Sequence, residues 1–247
     1  PFVSGGLQNG FGDYSAAIKG SGTPKTFTAN GNVAIANTAG YYGSVAYFDG
    51  NSDYLRTSSN ISDFQFGTGD FTIETWLWKS ANGTNNYDGV VTLGTNGSAT
   101  DGWFLEVSAT RGYLWVASGN SINYNVSPNT SQWNHLAVCR KGNTTTMYLN
   151  GVAVGINTNA YTVPATATTL DIGGYAVGTG NYWFNGYLQD LRVYKGVAKY
   201  TGGFDVPRPY TPVGIATWRA VPDTTANNFA TLNPLSSPAD RLPYAFH

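Results

Sequence analysis

The sequence predicts an all-β protein, an antiparallel sandwich of two sheets, and three observations carry that prediction. The first is the stretch 133–156, which reads as three strands joined by two tight turns. Residues 133–140 are mostly β-branched, aromatic and apolar, Lys141-Gly142-Asn143 is turn chemistry, and Thr144–Leu149 is the second strand. Asn150-Gly151 then supplies the pair that a type I′ turn requires, because both central positions need positive φ, and residues 152–156 return. Leu136 and Val138 share one face of their strand and Met147 and Leu149 one face of the next, so alternating side chains can stack into a common layer. The second observation is composition: 31 glycines and 15% aromatic residues suit many short strands joined by tight turns. The third is that no stretch sustains a 3.6-residue hydrophobic period.

Taken in order, residues 1–22 are rich in Gly and Ser with weak periodicity and read as an arm or linker. Residues 23–35 predict a first hairpin with Asn30-Gly31 at its turn. Residues 43–48 lead into a turn at Asp49-Gly50-Asn51-Ser52, and 53–57 return. Residues 58–69 read as a loop. Phe71–Lys79 is a long strand in which Phe71, Ile73, Thr75 and Leu77 alternate with Thr72, Glu74, Trp76 and Trp78, with bulk on both faces as expected inside a sandwich. A polar loop over 80–88 precedes four strands at 89–93, 103–107, 113–117 and 122–126. After the central stretch come a short strand at 170–173, a glycine-rich loop at 174–181 and a long closing strand at 183–195. Pro207, Pro209 and Pro212 end the domain, because such a run cannot donate to a central ladder. Residues 213–247 read as an extended arm or the stub of a following module.

Several of these segments carry a resemblance. Trp133-Asn134-His135-Leu136-Ala137-Val138 with Arg140, Met147-Tyr148-Leu149-Asn150-Gly151-Val152, and Leu170 with Ile172-Gly173-Gly174 resemble a laminin G-like domain of the concanavalin-like jelly-roll superfamily. Ala46-Tyr47-Phe48-Asp49-Gly50, Asp53-Tyr54-Leu55 and Phe71-Thr72-Ile73-Glu74-Thr75-Trp76 continue the match upstream, and residues 184–194 close it. The resemblance covers 23–212 and implies a two-sheet jelly roll. It leaves the ligand open, since the superfamily hosts lectins, glycan hydrolases and adhesive modules. Tyr194-Lys195-Gly196-Val197-Ala198-Lys199-Tyr200 resembles an ending found in laminin G-like modules of bacteriophage virion proteins, and 223–235 resembles the opening of SPRY-like modules in similar fibre and tail proteins. The implied role is a virion structural or adhesion protein, a fibre, tail or capsid-surface component that assembles as a homo-oligomer. Its partners would be neighbouring virion proteins, cell-surface glycans, or both. The alternative is a secreted, extracellular carbohydrate-binding or adhesion module from a bacterium.

Composition narrows the function classes. Charged residues make up 11% of the chain and the net charge is −1, so there is no basic stripe for nucleic-acid phosphates. No apolar run is long enough to predict a membrane-spanning helix. The single cysteine, Cys139, excludes an intrachain disulfide, where animal laminin G domains often carry one, and reads as a small buried apolar residue. A glycan hydrolase of this fold would need paired carboxylates about 5–5.5 Å apart on one strand. Glu74, Glu106 and Asp190 have no such partner two residues away, so no catalytic residue is assigned. His135 reads as a core histidine with a satisfied ring nitrogen, and Glu74 and Asp190 to Arg192 as structural pairs or solvent-facing groups.

Alternation of strand direction places every second loop at the same end of a sandwich. One end then collects the 49–52 turn, loop 80–88, Arg111-Gly112, 127–131, Asn150-Gly151 and 174–181. Glycan- or partner-binding candidates there are Tyr87, Arg111, Tyr175 and Tyr182, because ring faces stack on sugar C–H groups. Asp49, Asp53 and Asp88 are candidate ligands for a rim Ca²⁺, which the resemblance implies. The same tyrosines also suit packing between subunits.

Overall fold

In the computed structural model the chain forms two seven-stranded antiparallel sheets. The structure describes residues 11, 13, 23–36, 40–41, 44–81, 87–96, 98–117, 120–124, 127–177, 180–206, 219–221 and 231–233. In chain order the strands are β1 (Thr28–Asn30), β2 (Ala34–Ala36), β3 (Val45–Asp49), β4 (Tyr54–Thr57), β5 (Phe71–Lys79), β6 (Tyr87–Thr95), β7 (Ser98–Ser108), β8 (Gly112–Val116) and β9 (Asn120–Tyr124). They continue with β10 (Trp133–Lys141), β11 (Thr144–Leu149), β12 (Val152–Asn157), β13 (Thr169–Ile172), β14 (Gly174–Val177), β15 (Gly180–Trp183), β16 (Asn185–Lys195), β17 (Arg219–Val221) and β18 (Thr231–Asn233). The front sheet has the order β1-β4-β13-β6-β7-β8-β9 and the back sheet β12-β11-β10-β5-β16-β3-β2. This is the all-β, two-sheet jelly-roll sandwich that the strand pattern predicts.

The core lies between the sheets. Ile73, Leu77, Leu136, Val138 and Met147 of the back sheet meet Val91, Leu93, Leu105, Val107 and Leu114 of the front sheet, all essentially excluded from solvent. These are the inward members of each period-2 set, which is why the central stretch is legible from sequence.

Two expected hairpins are crossings instead. The Asn30-Gly31 turn does not pair β1 with β2. Strand β1 joins β4 in the front sheet and β2 joins β3 in the back. The 49–52 turn likewise carries β3 of the back sheet to β4 of the front. Turn chemistry fixes a local reversal, not the partner of the returning strand, and here a buried carboxylate decides. Asp53, wholly buried, accepts the backbone N–H of Asn32 on one oxygen and that of Asp49 on the other, clamping both crossings together. Gly31 sits at φ 73°, and a side chain there would collide with the Asp53 carboxylate. Replacing Asp53 with alanine strands two amide donors. The expected loss is about 2–4 kcal/mol in urea unfolding; an unchanged midpoint would show that the clamp carries no stability.

Other departures are smaller. The 58–69 loop contains one 3₁₀ turn, Ile61–Phe64, because Ile61 and Phe64 fall three residues apart and both enter the core. The glycine-rich 174–181 loop is a hairpin, with β14 paired to β15. Asp88 lies inside β6, not in a loop. In the segment expected as a C-terminal arm, β17 pairs with β18; most of the arm, like most of 1–22, lies outside the described residues.

Candidate functional site

The outward face of the front sheet is built in register rows. One row runs Arg56, Asp171, Thr92, Phe104 and Trp115 across β4, β13, β6, β7 and β8. The adjacent row includes Glu106 opposite Tyr113. Their sequence neighbours Leu105, Leu114 and Val116 point into the core, so strand alternation alone puts these polar and aromatic groups outside. The β14–β15 hairpin lies against β6 and β7 on this sheet. Its last two residues engage opposite flanks: Tyr182 meets Tyr87 at 5.7 Å, whereas Trp183 stacks on Tyr54 at 5.7 Å.

Arg111 organises the site. Ser108 fixes the β7–β8 turn, its hydroxyl oxygen accepting the N–H groups of Thr110 and Arg111 and its own N–H donating to the Arg111 carbonyl. The turn lifts the guanidinium between two rings, 5.0 Å from the centroid of Tyr87 and 4.6 Å from that of Tyr113. One N–H reaches the buried Glu106 carboxylate at 3.2 Å. Arg111 Nε, also buried, finds no acceptor among the described residues. Phe104 extends the aromatic surface, stacked on Trp115 at 5.5 Å and touching Tyr113 at 5.6 Å. Tyr87, Tyr113, Trp115 and Tyr182 all remain partly exposed. A cation held between rings is rigid, and rigid half-exposed rings lose little side-chain freedom when a ligand stacks on them.

Of the candidates read from sequence, Tyr87, Arg111 and Tyr182 therefore come together. Tyr175 pairs in register with Tyr182, and its side chain lies outside those described. Tyr113, Trp115 and Phe104 were not singled out, and Glu106 was weighed only as a hydrolase carboxylate. The signal was present in the alternation of Tyr113 and Trp115 with Leu114 and Val116, which leaves two aromatics on a face that the core does not use.

The proposed calcium ligands do not assemble. Asp53 is committed to the crossing clamp. Asp49 accepts the Asn51 N–H at 2.7 Å, closing an Asx turn. Asp88 is buried in an ion pair with Lys79 at 2.9 Å, both side chains wholly excluded from solvent, and also accepts the Asn185 N–H. Among the described residues no three acidic, histidine or cysteine side chains converge on a point that could hold a metal.

The back sheet holds a second polar cluster, sealed by residues 196–206. Glu74 receives Lys199 Nζ on one oxygen and the Tyr200 hydroxyl on the other, each at 2.6 Å, with His135 Nε2 at 3.5 Å. Arg192 is 3.8 Å away and is itself held by Asp190. Burial alone would raise the Glu74 carboxyl, but His135 and Lys199 outweigh it and hold the value down to about 2. Tyr200 and Phe204 stack at 3.5 Å over Tyr148. His135 is thus a buried histidine with one nitrogen towards Glu74, while Nδ1 has no partner among the described residues. Cys139 is buried against Thr72, and burial raises its thiol.

Residues 49–199 match the family described as the Concanavalin A-like lectin/glucanases superfamily. Among solved structures, the binding domain of Paraclostridial Mosquitocidal Protein 1 superposes with a TM-score of 0.59 at 15% identity, over 79% of this chain and 49% of that one. A structure of botulinum neurotoxin type C, which enters cells in a way dependent upon interaction with two ganglioside molecules, gives 0.58 at 13% identity over 80% and 48%. The binding domain of botulinum neurotoxin serotype G gives 0.54 at 13% identity over 72% and 45%. The chain spans about half the length of these domains, and the likeness is one of fold. No curated protein matches the chain.

Proposed function

The chain belongs to the concanavalin A-like lectin/glucanase superfamily, and we propose that it is a non-enzymatic attachment module that grips a glycan on the outward face of its front sheet. The observation that carries this reading is the Arg111 guanidinium fixed between Tyr87 and Tyr113, with Tyr182 and Trp115 beside it, all partly exposed. Ring faces take sugar C–H groups, and guanidinium N–H groups take hydroxyl or carboxylate oxygens. In the finer reading the module belongs to the surface of a bacteriophage particle, as a fibre, tail or capsid component. Support for that comes from the 194–200 ending and from 223–235.

A glycan array run with and without calcium tests the binding. Wild type is expected to show a discrete set of ligands, and Tyr87→Ala and Tyr113→Ala to lose about tenfold or more in affinity for them with melting temperature nearly unchanged. An array without hits, or hits indifferent to both substitutions, sinks the reading. Immunogold microscopy of native particles checks the virion placement, and label confined to secreted protein would favour the bacterial alternative.

A further inference from the structure

A row of aromatic side chains crosses the outward face of the back sheet, away from the Arg111 site. Tyr47 on β3, Tyr187 on β16, Trp78 on β5 and Trp133 on β10 are successive register partners on four adjacent strands. Each is partly exposed. Tyr47 meets Tyr187 at 5.2 Å and Trp78 meets Trp133 at 5.9 Å, so the rings brace one another in pairs. With strands about 4.8 Å apart, the row is roughly 14 Å long. The next row into the sheet holds Gln189, Trp76 and His135, all buried, and beyond it residues 196–206 seal the face. At one end Tyr41 stacks on Trp76 at 4.0 Å and meets Trp133 at 6.2 Å, and the four rings of the row stay partly exposed.

Residues 196–206 cover the middle of the face through Tyr200 and Phe204, whereas four large rings at one register level stay partly in water, where apolar surface marks a contact site. The row contains no charge. It is one residue wide, too narrow for the roughly 800 Å² per partner of a specific protein interface. One ring per strand repeats at close to the length of a single pyranose unit in an extended chain. We infer that this row is a second glycan platform, independent of the Arg111 site, and that its ligand is a linear, uncharged oligosaccharide lying across the strands with successive sugars on successive rings.

The test is isothermal titration of the full chain with cello-, xylo- and laminari-oligosaccharides, each as disaccharide, tetrasaccharide and hexasaccharide. At least one series is expected to bind, with affinity rising from disaccharide to hexasaccharide and unaffected by added salt, because no ion pair is involved. Trp78→Ala, Tyr187→Ala and Tyr47→Ala should each weaken the hexasaccharide by about tenfold. Circular dichroism confirms folding, and Tyr47→Ala, on a strand near the sheet edge, serves if the Trp78 variant unfolds. Arg111→Ala should leave this binding in place, which separates the platform from the front-sheet site. Absence of binding by all three series, no gain with length, or binding that survives the Trp78→Ala/Tyr187→Ala double variant would overturn the inference.

Discussion

Replacing Lys79 with methionine is expected to destabilise the fold by about 3–5 kcal/mol, the cost of leaving one member of a buried ion pair alone. Lys79 ends β5 of the back sheet and Asp88 lies near the start of β6 in the front sheet, so their 2.9 Å contact ties the sheets together at one rim with both side chains out of water. Methionine conserves the volume but leaves the Asp88 carboxylate without its cation. At 2–4 °C per kcal/mol for a chain of this size, the melting temperature should fall by about 10 °C. The double variant Lys79→Met/Asp88→Asn removes both charges and keeps an acceptor for the Asn185 N–H, so it should recover most of the loss. Urea unfolding of wild type, both single variants (Lys79→Met and Asp88→Asn) and the double variant closes the cycle. A loss below about 1 kcal/mol for Lys79→Met would mean that water reaches the pair.

Glu74→Gln is the second large effect. The amide cannot balance Lys199 and Arg192, and it places an N–H₂ group where one carboxylate oxygen now accepts a bond, so about 3 kcal/mol should be lost. The loss should concentrate where residues 196–206 cross the back sheet, giving new protease cleavage there before global unfolding. Acid has the same target. Because the folded carboxyl is held near 2, below its ordinary 4.5, its contribution is complete above about pH 4.5 and disappears as pH falls through 2. Protease sensitivity of the segment should therefore rise between these limits in wild type, and Glu74→Gln should show it already at neutral pH. Cleavage that is flat across the range in both proteins would contradict the assignment.

Strands with clear alternation, such as β5 and β16, were legible whatever their partners, whereas which sheet a strand joins was legible only where its partner is near in sequence. The β10–β11–β12 meander follows from apolar alternation and an Asn-Gly turn, both local. The assignment of β1 and β4 to the opposite sheet from β2 and β3 rests on Asp53, and sequence does not reveal that its oxygens face two backbone amides. The cation of Asp88, Lys79, likewise lies on the other sheet. At the candidate site, loop counting found Tyr87, Arg111 and Tyr182. It passed over Tyr113 and Trp115, which sit within a strand, and Lys199 and Tyr200, whose partner Glu74 lies 125 and 126 residues away.

Nuclear magnetic resonance of the side-chain N–H groups tests the central claim most directly. The indole of Trp115 and the guanidinium of Arg111 lie on the proposed front-sheet surface, while Trp103 is buried in the core with its indole bonded to the Phe64 carbonyl. On titration with the strongest array ligand, the Trp115 indole and Arg111 Nε–H resonances should shift together and saturate with the binding isotherm while Trp103 stays fixed. A ligand that saturates the protein with Trp115 and Arg111 unmoved would contradict a glycan site on the front sheet.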